Sequence, residues 1–176
     1  MARIDEVRAA ADEYGLRSIE NMRLSEQLGR EIMAAFDKYL TPDGGIVIGV
    51  PPRGEWRHNG GDYADAAFSY YHEPFLTVRD TEFGMCVTVS DNLWVRLVVK
   101  LQKEGDRIGV FVGEGDAIWI PTAYSSNDLK RICEALFESL IGLYQGDVNV
   151  FVHGDERMLT IGFGTRQPPS GSQKSV

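Results

Sequence analysis

Three histidines stand in the neighbourhood of carboxylates in this chain: His58, His72 beside Glu73, and His153 close to Asp155. Imidazole and carboxylate together could ligate a metal, yet a helical metal pair needs two histidines at i, i+4, and His58 and His72 are fourteen positions apart. Surface or turn histidines are the expectation, with no metal. Paired acids for hydrolysis could be drawn from Glu55, Asp62, Asp65 and Glu73. Such work needs two carboxyls held at a fixed separation, which a loop sequence does not supply, and Asp62 and Asp65 have a simpler use as helix caps. Cys86 lies between Met85 and Val87 in an expected strand, a setting for a buried thiol rather than a nucleophile. There is no Gly-x-Ser-x-Gly elbow, and Gly44-Gly45 leads into a strand where a phosphate loop would lead into a helix. No catalytic residue and no cofactor is assigned.

What remains is recognition. Residues 51–74 bring together Arg53, Trp56, Arg57, His58 and Tyr63, residue types enriched at protein interfaces. The same segment has a plainer use, its aromatics folding back over the core.

The elements that must carry these residues follow from periodicity. Ile4 to Tyr14 reads as a short helix ended by Gly15. Leu24, Leu28, Ile32, Phe36 and Leu40 recur every four residues after a cap at Ser18, with Ile19, Met22, Met33 and Tyr39 widening the stripe. Ile46 to Val50 reads as a strand, and a short helix is expected over 62–71. From Phe75 the period becomes two: Phe75–Val78, then Met85, Val87 and Val89, then Leu93 through Leu101, Ile108 through Val112, and Ala117–Ile120, joined by short turns as an antiparallel meander. A second amphipathic helix carries Leu129, Ile132, Cys133, Leu136, Phe137, Leu140, Ile141 and Tyr144, capped by Ser125 with Asp128 and ended by Gly146. Val148, Val150 and Val152 are expected to pair with Leu159, Ile161 and Phe163 in a final hairpin. The predicted class is α+β: an antiparallel sheet of about six to eight strands, meander plus C-terminal hairpin, with two long helices on one face.

That arrangement leaves the other sheet face half-apolar, since Trp94, Arg96, Val98, Lys100 and Gln102 lie out of phase with the apolar row of their strand. Trp94, Val98, Trp119 and Phe151 are expected on this outer face, as a patch large enough to favour a homodimer unless the 51–74 loop covers it.

Length and charge bound the rest. A chain of 176 residues with 43% hydrophobic and 25% charged residues fits one domain, read as 1–163, followed by a Pro/Ser/Gly-rich tail, 164–176, expected to be disordered. The net charge of −8 is spread along the chain without clustered Lys or Arg, which argues against nucleic acid or an anionic membrane surface as partner. The acidic opening Met1 to Glu6 lacks the apolar core of a signal peptide, and no run is long enough to span a membrane, so a cytoplasmic protein is expected. Cys86 and Cys133 are expected to be buried free thiols.

The order of long helix, antiparallel strands, amphipathic helix and final strand pair resembles the type III secretion chaperones. The likeness is one of element order and matches no residue motif, so no functional residue is carried over. Relative to that pattern the chain has extra strands and the long 51–74 insertion, and it ends in a tail where those chaperones carry a helix. The expected function is a non-catalytic protein-binding, adaptor or chaperone-like domain of bacterial type. It would act on a protein or peptide through the half-apolar face or the aromatic loop. The alternative is an enzyme or small-ligand domain with its site between that loop and the sheet.

Overall fold

Residues 2–57, 63–72, 75–113, 115–153 and 165–166 are described in this computed structural model, with backbone alone for 71, 72, 75, 76, 147, 149, 150, 153, 165 and 166. Helix α1 runs unbroken over Arg3–Leu40. The expected break at Gly15 is absent. Glycine inside a helix costs about 1 kcal/mol relative to alanine, too little to stop a helix whose later turns are anchored in a core. Ser18 is not a cap either: its hydroxyl donates to the Tyr14 carbonyl one turn back, at 2.8 Å. Leu28, Ile32 and Phe36 are fully buried, whereas Ile19 and Tyr39 of the expected stripe stay exposed.

Above Leu28 the buried face turns polar and grips the chain ahead of the sheet. Asn21 donates to the carbonyls of Thr77 and Arg79, both at 3.0 Å, and the Ser25 and Thr81 hydroxyls bond at 2.7 Å. At the other end the Asp37 carboxylate accepts from the backbone N–H of Gly45, Ile46 and Val47 at 2.7, 2.9 and 2.9 Å. It closes a turn in which Gly44 and Gly45 both take positive φ.

The strands are β1 (Val47–Val50), β2 (Phe68–Ser69), β3 (Tyr71–His72), β4 (Phe75–Leu76), β5 (Thr81–Ser90), β6 (Leu93–Glu104), β7 (Arg107–Val112), β8 (Ile118–Pro121) and β9 (Thr165–Arg166). The sheet runs β1-β5-β6-β7-β8, with β2 added to β5 and β9 to β6, and β3 pairs with β4 separately. Every pairing is antiparallel. Register sorts the side chains into two faces. Met85 opposes Leu97, Val87 opposes Val95, Leu101 opposes Val110 and Ile108 opposes Ile120, and these form the inner face. They share one core with Leu28, Ile32 and Phe36 of α1 and with Ile132, Leu136 and Leu140 of the second helix, α2 (Ser126–His153). Tyr124, just before α2, lies beside Glu31, and Phe137 packs on Tyr39 with ring centroids 6.1 Å apart, so the two helices ascend together. Ser125 and Asp128 form the expected capping box, Ser125 N–H to Asp128 Oδ2 at 2.9 Å and Asp128 N–H to Ser125 Oγ at 3.3 Å.

Two further expectations fail. The short helix over 62–71 is a four-residue 3-10 turn, Ala64–Ala67, followed by β2 and β3. Aromatic residues there favour extended backbone, and Phe68 and Tyr70 turn inward, Phe68 against Phe83. Asp65, an expected cap, instead bonds Arg30 at 2.8 Å; Asp62 lies outside the described residues. The C-terminal hairpin is also not formed as expected, because α2 continues through Gly146 to His153 and takes up Val148, Val150 and Val152. Adding residues to an existing helix requires no partner, whereas an isolated hairpin arm gains little without one. Residues 159–163 lie outside the described residues. The strand pair behind part of the chaperone likeness is therefore helix on its first arm, and within the expected tail Thr165–Arg166 pair with Val95–Arg96.

Candidate functional site

The outer sheet face divides into two halves. On the β1 side the chain after Val50 crosses directly over β5, and Gly84 is what permits it. A Cβ there would collide with the Val50 carbonyl oxygen and lie 2.9 Å from the Pro52 nitrogen. Arg96 then pins the crossing, its guanidinium donating to the carbonyls of Pro51 at 3.2 Å and Gly54 at 2.8 Å, while standing 6.0 Å from the Trp56 ring. Val50, Trp56 and Cys86 are buried together, with Ile48, Tyr63 and Trp94 packed around them. This half of the face is a small second core.

On the β7 side the face stays open as a groove of about 480 Å³. Its apolar lining is Val98, Phe111 and Pro52; Arg53, Glu82 and Lys100 supply charge, and Gly113 and Gly115 complete it. The charges are paired within the protein. Arg53 holds Glu82 by two bonds of 2.9 and 3.0 Å, and Lys100 sits 3.4 Å from Asp80 and 4.3 Å from the centre of the Phe111 ring. The bond to Glu82 raises the Arg53 pKa further. Among the described residues the lining thus presents apolar surface and backbone between paired charges. Beside the groove Arg107 stacks on Trp119 at 4.3 Å, and Trp119 lies over Gly109, where a Cβ would meet the indole at 3.1 Å.

The expected site residues are dispersed over these features. Arg53 lines the groove, and Trp56, 6% exposed, is part of the small core. Tyr63 is half-buried and its hydroxyl accepts the N–H of Arg57 at 2.9 Å, with Arg57 itself exposed. The aromatics of the 51–74 segment whose side chains are described, Trp56, Tyr63, Phe68 and Tyr70, fold back on the protein. Trp94 and Trp119 do lie on the outer face, opposite Thr88 and Gly109, and are half-buried. Phe151 does not join them. It sits on α2, 91% exposed. His58 lies outside the described residues and His72 and His153 have described backbone only, while among the described residues no three His, Cys, Asp or Glu side chains gather as a metal site.

Cys86 and Cys133 are buried free thiols, and burial pushes their pKa values up to about 12 and about 11, so neither is a ready thiolate. Periodicity missed the groove's Pro52, Glu82, Phe111, Gly113 and Gly115. The signal that could have found the crossing is Gly84, and Gly109 likewise marks the Trp119 contact, since a glycine inside a strand often marks a close approach. No helix among the described residues is long and apolar enough to cross a membrane. No protein-family model, no curated protein and no solved structure matches this chain.

Proposed function

We propose that this is a non-catalytic binding domain that holds an apolar segment of a protein or peptide partner in the outer-face groove. With both helices laid on the inner face, the outer face is left for recognition, and the 51–56 crossing narrows that surface to the β6–β7 side. The observation that carries the reading is the lining itself: Val98, Phe111 and Pro52 stand between ion pairs already satisfied by Glu82 and Asp80. A surface of that kind gains from apolar burial and provides no nucleophile with a base. Chaperone-like or adaptor roles both fall within it, in a cytoplasmic setting.

A second reading has one observation in its favour. The groove volume of about 480 Å³ lies within the range of small-ligand pockets. A homodimer through Trp119, Phe111 and Val98 would use the same surface, although the crossing already covers the Cys86 side. Panning a phage-displayed peptide library on the purified chain, with light scattering beside it, separates the peptide reading from the homodimer. Apolar peptides that lose binding to Val98→Glu and Phe111→Ser support the peptide reading. Peptides indifferent to both substitutions overturn it, and so does a constant two-chain mass in light scattering that Val98→Glu abolishes.

A further inference from the structure

The first four turns of α1 lie apart from the groove and repeat a pattern that the body of the helix uses. Ser18, Asn21, Ser25, Leu28 and Ile32 form the buried face of α1 at alternating spacings of three and four. The same face continues upstream as Ile4, Val7, Ala11 and Tyr14, again three and four apart, and there it is bare: Ile4 is 53%, Val7 62% and Tyr14 46% exposed. Fifteen residues of helix, Arg3 to Arg17, span about 22 Å at 1.5 Å per residue. A helical stripe with this seven-residue repeat is the surface by which one helix packs along another.

The charges flanking the stripe identify the partner's chemistry. With Ile4 and Ala11 taken as a positions and Val7 and Tyr14 as d positions, the charged residues at the flanking e and g positions are Arg3, Arg8 and Arg17, all cationic. Asp5, Glu6, Asp12 and Glu13 occupy b and c, away from the seam. A docked helix meets the flanking residues at contact distance. The acids sit one position further round the helix, where Asp5 and Glu13 also pair with Arg8 and Arg17, and a docked helix meets the arginines first. Pairing with a second copy would set Arg against Arg, g to g and e to e when antiparallel, g to e when parallel. Arg8 bonds Asp5 at 3.3 Å and Arg17 bonds Glu20 at 2.9 Å, but these pairs are exposed and exchange readily for a partner's carboxylates.

We infer that residues 3–17 are a docking helix for an acidic amphipathic helix of a partner protein, apolar on its contact face and rich in Glu or Asp at its flanks. This surface is independent of the groove. Two labelled three-heptad peptides test it, both with Leu at a and d, one with Glu at e and g and the other with Lys. Fluorescence anisotropy against the full chain is expected to give at least tenfold tighter binding of the Glu peptide. Ile4→Ser with Val7→Ser abolishes that binding at unchanged Tm, Arg3→Glu with Arg8→Glu and Arg17→Glu inverts the preference, and Val98→Glu leaves it intact. Equal binding of both peptides, tighter binding of the Lys peptide, or no binding of either at millimolar concentration overturns the inference. Self-association that is lost on Ile4→Ser with Val7→Ser overturns it as well.

Discussion

The two faces of one sheet are built from alternate residues of the same strands, yet they are closed by different means. The inner face is an aliphatic row sealed by helices: Val87, Val95, Leu97, Val99, Leu101 and Val110 against Leu28, Ile32, Ile132 and Leu136. The outer face has Gly84, Arg96, Lys100 and Gly109 among its residues and is sealed over half its width by backbone, which Arg96 holds through two carbonyls. Helices can seal a face by area alone. A crossing chain needs hydrogen bonds and a glycine to lie on, and beside it, from Pro52 and Arg53 to Val98 and Phe111, the groove stays open. The difference shows how a strand pattern too polar for a core becomes a surface with a boundary.

Each half of this contrast can be attacked separately. The largest effect is expected on the inner face, where Leu136 is fully buried: Leu136→Ala should cost about 2–5 kcal/mol in denaturant unfolding. A loss below about 1 kcal/mol would mean that α2 does not seal the core.

Next comes Gly84→Ala, whose methyl meets backbone rather than a side chain that can step aside, at a cost of about 1–3 kcal/mol. Lifting the crossing uncovers Cys86 and leaves Cys133 behind the helices. Thiol labelling of the folded variant should therefore modify Cys86 faster than in the parent, with Cys133 unchanged. Equal acceleration at both cysteines would show general loosening instead.

Arg96→Met should cost somewhat less, about 1–2 kcal/mol, because the Pro51 and Gly54 carbonyls lose donors while the aliphatic stem is largely replaced. Thermal unfolding of this variant with Gly84→Ala sharpens the point, since both changes release the same segment and their effects should sum to less than additive.

The smallest effect belongs to the α2 cap. Hydrogen bonds from the Ser125 backbone and hydroxyl hold the Asp128 carboxyl below its usual range. A carboxyl depressed in the folded state contributes stability above its unfolded pKa, near 4, and that contribution is lost as pH falls through the folded value. Asp128→Asn should therefore lower Tm at pH 7 and converge with the parent at the acid end of the titration. A constant offset across the series would reject the linkage.

The sequence reading reached the strands best where two constraints agreed. Leu93 to Leu101 alternates because β6 has neighbours on both sides and one face in a core. It also placed Trp94, Arg96, Val98 and Lys100 opposite that row, which register bears out. Gly15 and Gly146 misled it, because a glycine alone does not end a helix when the turns on one side are packed. Val148, Val150 and Val152 misled it for the complementary reason: alternation describes a strand only if something pairs with it. The groove was beyond periodicity, since it joins Pro52, Val98 and Gly113 across long separations and depends on where the crossing of β5 lies.

The claim that the open half of the outer face is the recognition surface is tested most directly by methyl-resolved NMR during titration with a peptide selected on the purified chain. Val98 points into the groove from β6, while Val95, Leu97 and Val99 on the same strand point into the core. The account predicts that the Val98 methyls shift in a saturable way and that those of Val95, Leu97 and Val99 stay in place. Saturable binding with Val98 unmoved would contradict it.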